Sequence, residues 1–322
     1  MEQNFSPAKC AIVGCGAVGA SIAFSLVQSG MMAKLVLIDV NKEKAKGEAM
    51  DLNHAMTFSH PQIILAGDYP DITDCGLVII CAGLAQKEGQ KRTELVASNL
   101  KILYSILDSV KQYAPRSIVM IVTNPVDILT YAALCYTGFP PSRILGTGTV
   151  LDTGRYRFLL GTHFGLDNRN IHAIIAGEHG DNEFPILSSA GIAGVDLTRY
   201  CYKNNCDMCT LNELFAGVRD SAYEIIAAKG ATCYGIAMAV KRIVSSIIRN
   251  EKSVLTVSSL LRGEYGYHGV CASLPAVVSR SGVEKVIVLD LDENEKLGLQ
   301  KAIQAMKEII DENDIRPFSE HK

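Results

Sequence analysis

Between Lys9 and Lys34 the chain carries no charged residue, so this stretch has to lie out of water, either across a bilayer or inside a protein core. Its interior decides for the core. CAIVGCGAVGASIAFSLVQSG begins as a short β-rich run, passes through Gly14, Gly16 and Gly19, and continues as a small-residue helix ended by Gly30. A buried strand, turn and helix need the same lack of charge, but place their glycines at the turn. No membrane association is expected.

The spacing predicts a strand over residues 9–13, a turn over 14–19 and a helix over 20–29. KLVLIDV reads as a second strand, residues 41–56 as a polar-to-amphipathic helix, and GLVIICAG, SIVMIVTNP and RILGTG as further strands followed by turn residues. Strands that alternate with helices give an α/β architecture, a doubly wound parallel sheet over residues 1–149. Residues 150–322 read as a second, mixed α+β domain. It contains a helix in LDTGRYRFLLGTHFG, an apolar strand in IHAIIA, hairpins around SVLTVSSLLRGEYG and EKVIVLDL, and a last amphipathic helix in LQKAIQAMKEII. The near-continuous apolar run of IHAIIA suits a strand covered on both faces.

With 48% hydrophobic and 20% charged residues and a formal net charge of -3, the chain is neither a disordered segment nor a polyanion binder, and nucleic acid is not expected as a partner. Ten cysteines without small-domain spacing, and no signal-peptide pattern, point to a cytosolic protein with free thiols. Cys201, Cys206 and Cys209 in CYKNNCDMC include one C-x-x-C spacing. No second pair or neighbouring histidine completes a tetrahedral set, so no metal is expected there.

GCGAVG fits G-x-G-x-x-G at the junction of a strand and a helix, which gives each glycine a task. Gly14 makes the tight turn, Gly16 lets the backbone approach a pyrophosphate, and Gly19 lets helix and strand pack closely. Asp39 stands at the end of the second strand, about twenty residues on, where a carboxylate accepts from ribose hydroxyls and repels a 2′-phosphate. NAD is the cofactor these residues predict. Farther along, GEHGD follows the apolar run, so His179 is a candidate proton shuttle beyond a strand end. In LDTGR, Asp152 and Arg155 share a helical face. An aspartate beside His179 would fix its tautomer and favour its charged form, and Arg155 could grip a carboxylate through two hydrogen bonds.

Together CAGLAQKEGQKRTELVASNLKI, TNPVDILTY, GTGTVLDTGRYRF, GEHGD and KGAT resemble the lactate/malate dehydrogenase superfamily, most closely its bacterial L-lactate dehydrogenase branch, from about Lys9 to the last helix. The resemblance implies reversible reduction of pyruvate to L-lactate by NADH, a fermentative step after glycolysis. It implies His179 as proton donor and acceptor, Asp152 as its orienting partner, Arg92 as the group that polarises the carbonyl, and Arg155 as the carboxylate anchor. Asn124 and Thr232 would touch the substrate, and Gln86 would sit in a lid. Further NAD contacts are implied at Val18, Lys44, Tyr69, Gly83, Leu84, Ser105, Val122, Asn124 and Thr147.

Gln86 bears on substrate choice. The malate branch has arginine at this lid position, and burying the second carboxylate of oxaloacetate beside a neutral glutamine would cost several kcal/mol, a discrimination of roughly a thousandfold. Leu84-Ala85 departs from the small residue and asparagine expected before Gln86, so bulkier 2-oxo acids stay open. Arg157 lies two positions from Arg155 and so points about 200° away. His172 is an odd number of residues before His179, which in a continuous strand would put the two on opposite faces. Arg157 and His172 match the effector positions of bacterial members activated by fructose 1,6-bisphosphate, which implies a homotetramer with that effector between subunits.

Overall fold

A computed structural model describes residues 6–84 and 92–318. The first half runs β1 (Ser6–Val13), α1 (Ala17–Ser29), β2 (Lys34–Ile38), α2 (Lys42–Ala55), β3 (Ile63–Ala66), β4 (Cys75–Ile80), α3 (Arg92–Tyr113), β5 (Ile118–Ile121), α4 (Val126–Thr137) and β6 (Ile144–Gly146). These strands are parallel, in the order β3-β2-β1-β4-β5-β6. Strand order reverses between β1 and β4, and such a switch point opens a crevice at the carboxyl ends of the strands.

The second half runs α5 (Val150–Phe164), β7 (Ile171–Gly177), β8 (Glu183–Ile192), β9 (Val195–Asp196), α6 (Leu197–Lys203), α7 (Met208–Lys229), α8 (Tyr234–Arg249), β10 (Ser253–Leu255), β11 (Ser258–Arg262), β12 (His268–Ser273), β13 (Ala276–Ser279), β14 (Gly282–Val286) and α9 (Glu293–Glu312). Antiparallel pairing carries the first sheet onward as β6-β11-β12-β7-β8-β9, while β10, β13 and β14 form a small sheet of their own. The two halves therefore share one sheet.

Alternation along β1 shows why that sheet is covered on both sides. Ala11 and Val13 pack with Leu103 and Leu107 of α3 and Leu129 and Ala132 of α4. Cys10 and Ile12 face the other way, onto Ile22 and Leu26 of α1 and Val240 and Ile243 of α8. Fully burying an aliphatic side chain of this size stabilises by about 1.5–3 kcal/mol. A third cluster joins Tyr156 and Leu160 of α5 to Ile171, Ala173 and Ile175 of β7.

Several sequence expectations change. The first helix starts at Ala17, three residues earlier than predicted, because Gly16 is already its N-cap. β3 gave no pattern to read: it is a four-residue edge strand with Ile63 exposed. β7 is covered on both faces, though not along its whole length: Ala176 is buried and Ile174 packs against the core on the side opposite Ile171, Ala173 and Ile175. It is antiparallel to both neighbours, and only its Ile171, Ala173 and Ile175 face is fully buried, whereas His172 is exposed. β14 ends at Val286, so the latter part of EKVIVLDL leads without a strand into α9. Cys201 and Cys206 are not free surface thiols; both are buried and joined in a disulfide, leaving Cys209 exposed and unbonded to them. Among the described residues no helix is long and apolar enough to cross a membrane.

Candidate active site

Sheet register gathers the chemically important residues along one edge. Directly paired positions run Ile38, Val13, Ile80, Ile121, Gly146, Ser258, Ser273 and Gly177, from β2 through β1, β4, β5, β6, β11 and β12 to β7. The residue after each parallel strand in this row is Asp39, Gly14, Cys81, Val122 or Thr147, and Glu178 and His179 follow the last. The glycine turn and the histidine thus lie beyond the same end of the sheet.

At the turn, Gly14 has φ 99°, a left-handed conformation suited to glycine, and an added Cβ would meet Ala82 N at 2.5 Å. A Cβ on Gly19 would lie 1.9 Å from the Gly14 carbonyl oxygen, which explains the third glycine as a packing requirement. Around Gly16 the case differs: a Cβ would meet nothing within 4 Å, and no side chain caps the start of α1. Uncapped N–H groups at a helix start, next to open space, fit a pyrophosphate. Asp39 is held in place by its neighbours: Oδ2 accepts from Cys15 N at 2.7 Å and Oδ1 from Asn41 N at 2.8 Å. Its remaining lone pairs suit ribose hydroxyls. These residues fit NAD.

At the far end of the row, α5 is stitched to β7 through hydroxyls. Thr149 Oγ1 donates to Ile175 O at 2.6 Å, and Thr153 Oγ1 accepts from Ile175 N at 3.0 Å. Asp152 is thereby turned toward the end of β7. Its Oδ2 lies 2.6 Å from His179 Nδ1 and its Oδ1 accepts from Arg155 Nη1 at 2.8 Å. The Asp152 side chain is 2% exposed and that of His179 24%, so the carboxylate is buried and the imidazole reaches the open side. Burial works against a charged imidazole. The adjacent Asp152 carboxylate, and Glu183 and Asp127 after it, outweigh that and raise the His179 pKa to about 9. For Asp152, burial opposes ionisation, but His179 and Arg155 hold its pKa below the ordinary carboxylate value.

The structure brings His179, Asp152 and Arg155 into one hydrogen-bonded trio. Asn124 follows β5 and is exposed, with its main-chain oxygen taken by Asn99 Nδ2 at 2.9 Å. Thr232 is half-buried between α7 and α8. Val122 and Thr147 are buried, Tyr69 and Val18 half-buried, and Lys44, Gly83, Leu84 and Ser105 exposed. Arg157 donates from Nε to Ala173 O at 2.8 Å, which brings it to β7 next to His172. Arg92 opens α3, and Gln86, with the rest of the lid segment, lies outside the described residues.

Three residues of the site escaped sequence reasoning. Asn99 is buried in α3, where its Oδ1 accepts from Leu84 N at 2.8 Å while its Nδ2 holds Asn124. Asp127 is buried in α4 and accepts from His179 N at 2.8 Å and Ser273 Oγ at 2.7 Å. Glu183 is buried at the start of β8. Asp127 is a polar residue amid apolar neighbours in VDILTYAAL, a mismatch that was an available signal; Asn99, after Ser98, and Glu183, after Asp181 and Asn182, stand in polar company and carried none.

An imidazole kept charged at neutral pH, at the sheet end where a dinucleotide fits, meets the need of a reaction in which a proton travels with a hydride. That places the protein among the NAD-dependent oxidoreductases. Family models agree and narrow the class: residues 8–146 match the NAD-binding domain of lactate/malate dehydrogenase and residues 149–314 its α/β C-terminal domain. The chain belongs to the lactate/malate dehydrogenase family. It is 46% identical over 319 residues to an L-lactate dehydrogenase of Acetivibrio thermocellus, covering 98% of this chain and 100% of the relative. It is 46% identical over 313 residues to L-lactate dehydrogenase 1 of Clostridium acetobutylicum, covering 97% and 99%. Among solved structures, the minor L-lactate dehydrogenase of Enterococcus mundtii in a ligand-bound form superposes with a TM-score of 0.92 at 40% identity, over 96% of this chain and 98% of that one.

Proposed function

We propose that the protein is an L-lactate dehydrogenase that reduces pyruvate to L-lactate reversibly, with residues 1–149 holding NAD and residues 150–322 supplying acid and base. The observation that carries this reading is the buried Asp152 with His179 on one carboxylate oxygen and Arg155 on the other. NADH supplies the hydride when bound. With Nδ1 committed to Asp152, His179 presents Nε2 to the substrate and gives its proton to the carbonyl oxygen; in the reverse direction the neutral ring takes the proton from the lactate hydroxyl. Arg155 keeps donors beyond the one given to Asp152 and binds the substrate carboxylate. Asn124 and Thr232 line the pocket, Arg92 polarises the carbonyl, and Gln86 accommodates the methyl end of pyruvate. The names of the relatives support the lactate assignment over malate.

Fructose 1,6-bisphosphate binds at Arg157 and His172 and activates a homotetramer in the cytosol. Support comes from the junction of Arg157 with the strand that carries His172. Exposed apolar residues Phe24, Tyr234 and Met238 line a groove of about 410 Å³ between α1, α2 and α8, a surface suited to a subunit contact. Initial rates with pyruvate and with oxaloacetate, each with and without the bisphosphate, test the scheme. Pyruvate preference with activation supports it; oxaloacetate preference removes the substrate assignment, and indifference to the bisphosphate removes the effector. Light scattering checks the tetramer.

A further inference from the structure

Glu183 is 6% exposed, and no step of the reaction described above uses it. A carboxylate oxygen of Glu183, one of Asp152 and a ring nitrogen of His179 all lie within 4.8 Å of one another. The placement is built in by the fold. Glu183 pairs with Gly177 across β7 and β8, and its N–H reaches Gly180 O at 3.4 Å, closing the turn that carries the histidine. Asp152 is committed as the charged member, since His179 and Arg155 both bind it. Two buried carboxyl groups in such proximity resist being ionised together.

We propose that Glu183 is a positioning residue for the proton shuttle: by holding or releasing its own proton against the Asp152–His179 pair, it sets the pH at which His179 titrates. Among the described residues the charged groups around it are few. From α5 come Asp152 and Arg155; from the turn between β7 and β8 come His179 and the Gly180 N–H; from α4, behind the histidine, comes Asp127. Glu178 and Asp181 belong to the same turn: Glu178 accepts from Asn182 Nδ2 at 2.6 Å and Asp181 is exposed. Helix α9 packs on β8 too, but its buried Glu295 is occupied with Leu187 N and Ser188 N.

Burial first, then the Asp152 charge, pushes the Glu183 pKa up to about 8. At neutral pH its carboxyl is therefore protonated. Asp152, His179 and Arg155 then hold one net positive charge, the complement of a single substrate carboxylate. As pH rises Glu183 ionises, and its negative charge favours the protonated imidazole. Removing that charge has to lower the pH at which His179 loses its proton.

This inference rests on His179 as the proton shuttle, and its test separates the two. Histidine labelled with ¹³C at Cε1 is incorporated into the full-length protein, and the His179 resonance is identified by its loss in His179→Gln. Titration across pH about 6 to 11 then compares the parent with Glu183→Gln and Glu183→Asp. The expected result is a His179 midpoint about 0.5–1 pH unit lower in Glu183→Gln and intermediate in Glu183→Asp, with the alkaline limb of pyruvate reduction moving by the same amount. A midpoint unchanged in Glu183→Gln overturns the proposal. Should that variant fail to fold, an unchanged midpoint in Glu183→Asp does the same. Absence of pyruvate reduction by the parent would remove the lactate dehydrogenase reading while leaving the resonance to decide on Glu183.

Discussion

Asp127 accepts the main-chain N–H of His179 at 2.8 Å, although 52 residues separate them in the chain. The same carboxylate takes Ser273 Oγ at 2.7 Å, so α4, β12 and the turn after β7 meet on one buried side chain. Burial raises its pKa, and the donors from serine and His179 N–H oppose that rise. Asp152 fixes the ring of His179, whereas Asp127 fixes the peptide from which the ring hangs.

Replacing Asp127 by alanine leaves the His179 N–H and the Ser273 hydroxyl buried without their acceptor. Each such loss costs about 1–3 kcal/mol, so a total of about 2–6 kcal/mol is expected by urea unfolding, with a fall in kcat/KM because the imidazole loses its fixed position. Asp127→Asn keeps one acceptor oxygen and loses less. Equal stability of parent and alanine variant would show that the three elements are held together by other contacts.

Asp152→Asn keeps the size of the side chain but removes the charge that offsets burial of the imidazole. His179 should then titrate near or below its ordinary value of about 6.5, and kcat/KM for pyruvate at neutral pH should fall about 100-fold or more, through lost protonation and lost tautomer control together. Steady-state rates across pH read both effects. A rate loss with the alkaline midpoint still near 9 would assign Asp152 an orienting role alone.

The glycine turn and the alternation of strand and helix were legible because each lies in a short segment with its own local signature; His179 and the Asp152, Arg155 pair stood out in two separate segments, and their joining was implied by the resemblance. Register was not legible. That Gly146 pairs with Ser258, Ser258 with Ser273 and Ser273 with Gly177 is decided by packing of distant segments, and this row joins the two halves. Asp127 and Glu183 stayed hidden for the same reason, since their partners are supplied by tertiary structure. The Cys201–Cys206 pairing is local, yet composition pointed the other way, because a count of cysteines carries no information on which two side chains α6 and the following turn bring together.

Pyruvate reduction should depend on pH through His179. Its pKa of about 9 keeps nearly all molecules protonated at neutral pH. Reduction therefore stays level and then declines as pH rises through about 9, while lactate oxidation, which needs the neutral ring, rises over the same interval. Stability follows the same sign: a folded-state pKa above the unfolded value of about 6.5 contributes stability that is full below 6.5 and lost as pH climbs through about 9. Initial rates and thermal melts in matched buffers check this. A reduction limb at about 6.5 would contradict the influence assigned to the Asp152 carboxylate.

Gly16→Ala and Gly19→Ala should separate cofactor binding from folding within one turn. At Gly16 the φ of −68° suits alanine and the new Cβ meets nothing within 4 Å, so stability should change by no more than about 1 kcal/mol. The methyl group would nevertheless occupy the approach to the open start of α1, and NADH should bind about tenfold more weakly or worse, a loss of about 1.4 kcal/mol. At Gly19 the new Cβ falls 1.9 Å from the Gly14 carbonyl oxygen, a backbone atom that cannot swing aside. Helix and turn must then separate, at a cost of about 1–3 kcal/mol or more, and the melting temperature should drop together with NADH affinity. Thermal melts with NADH fluorescence titrations distinguish the two variants. A Gly16→Ala protein that binds NADH as tightly as the parent would place the pyrophosphate somewhere other than this turn.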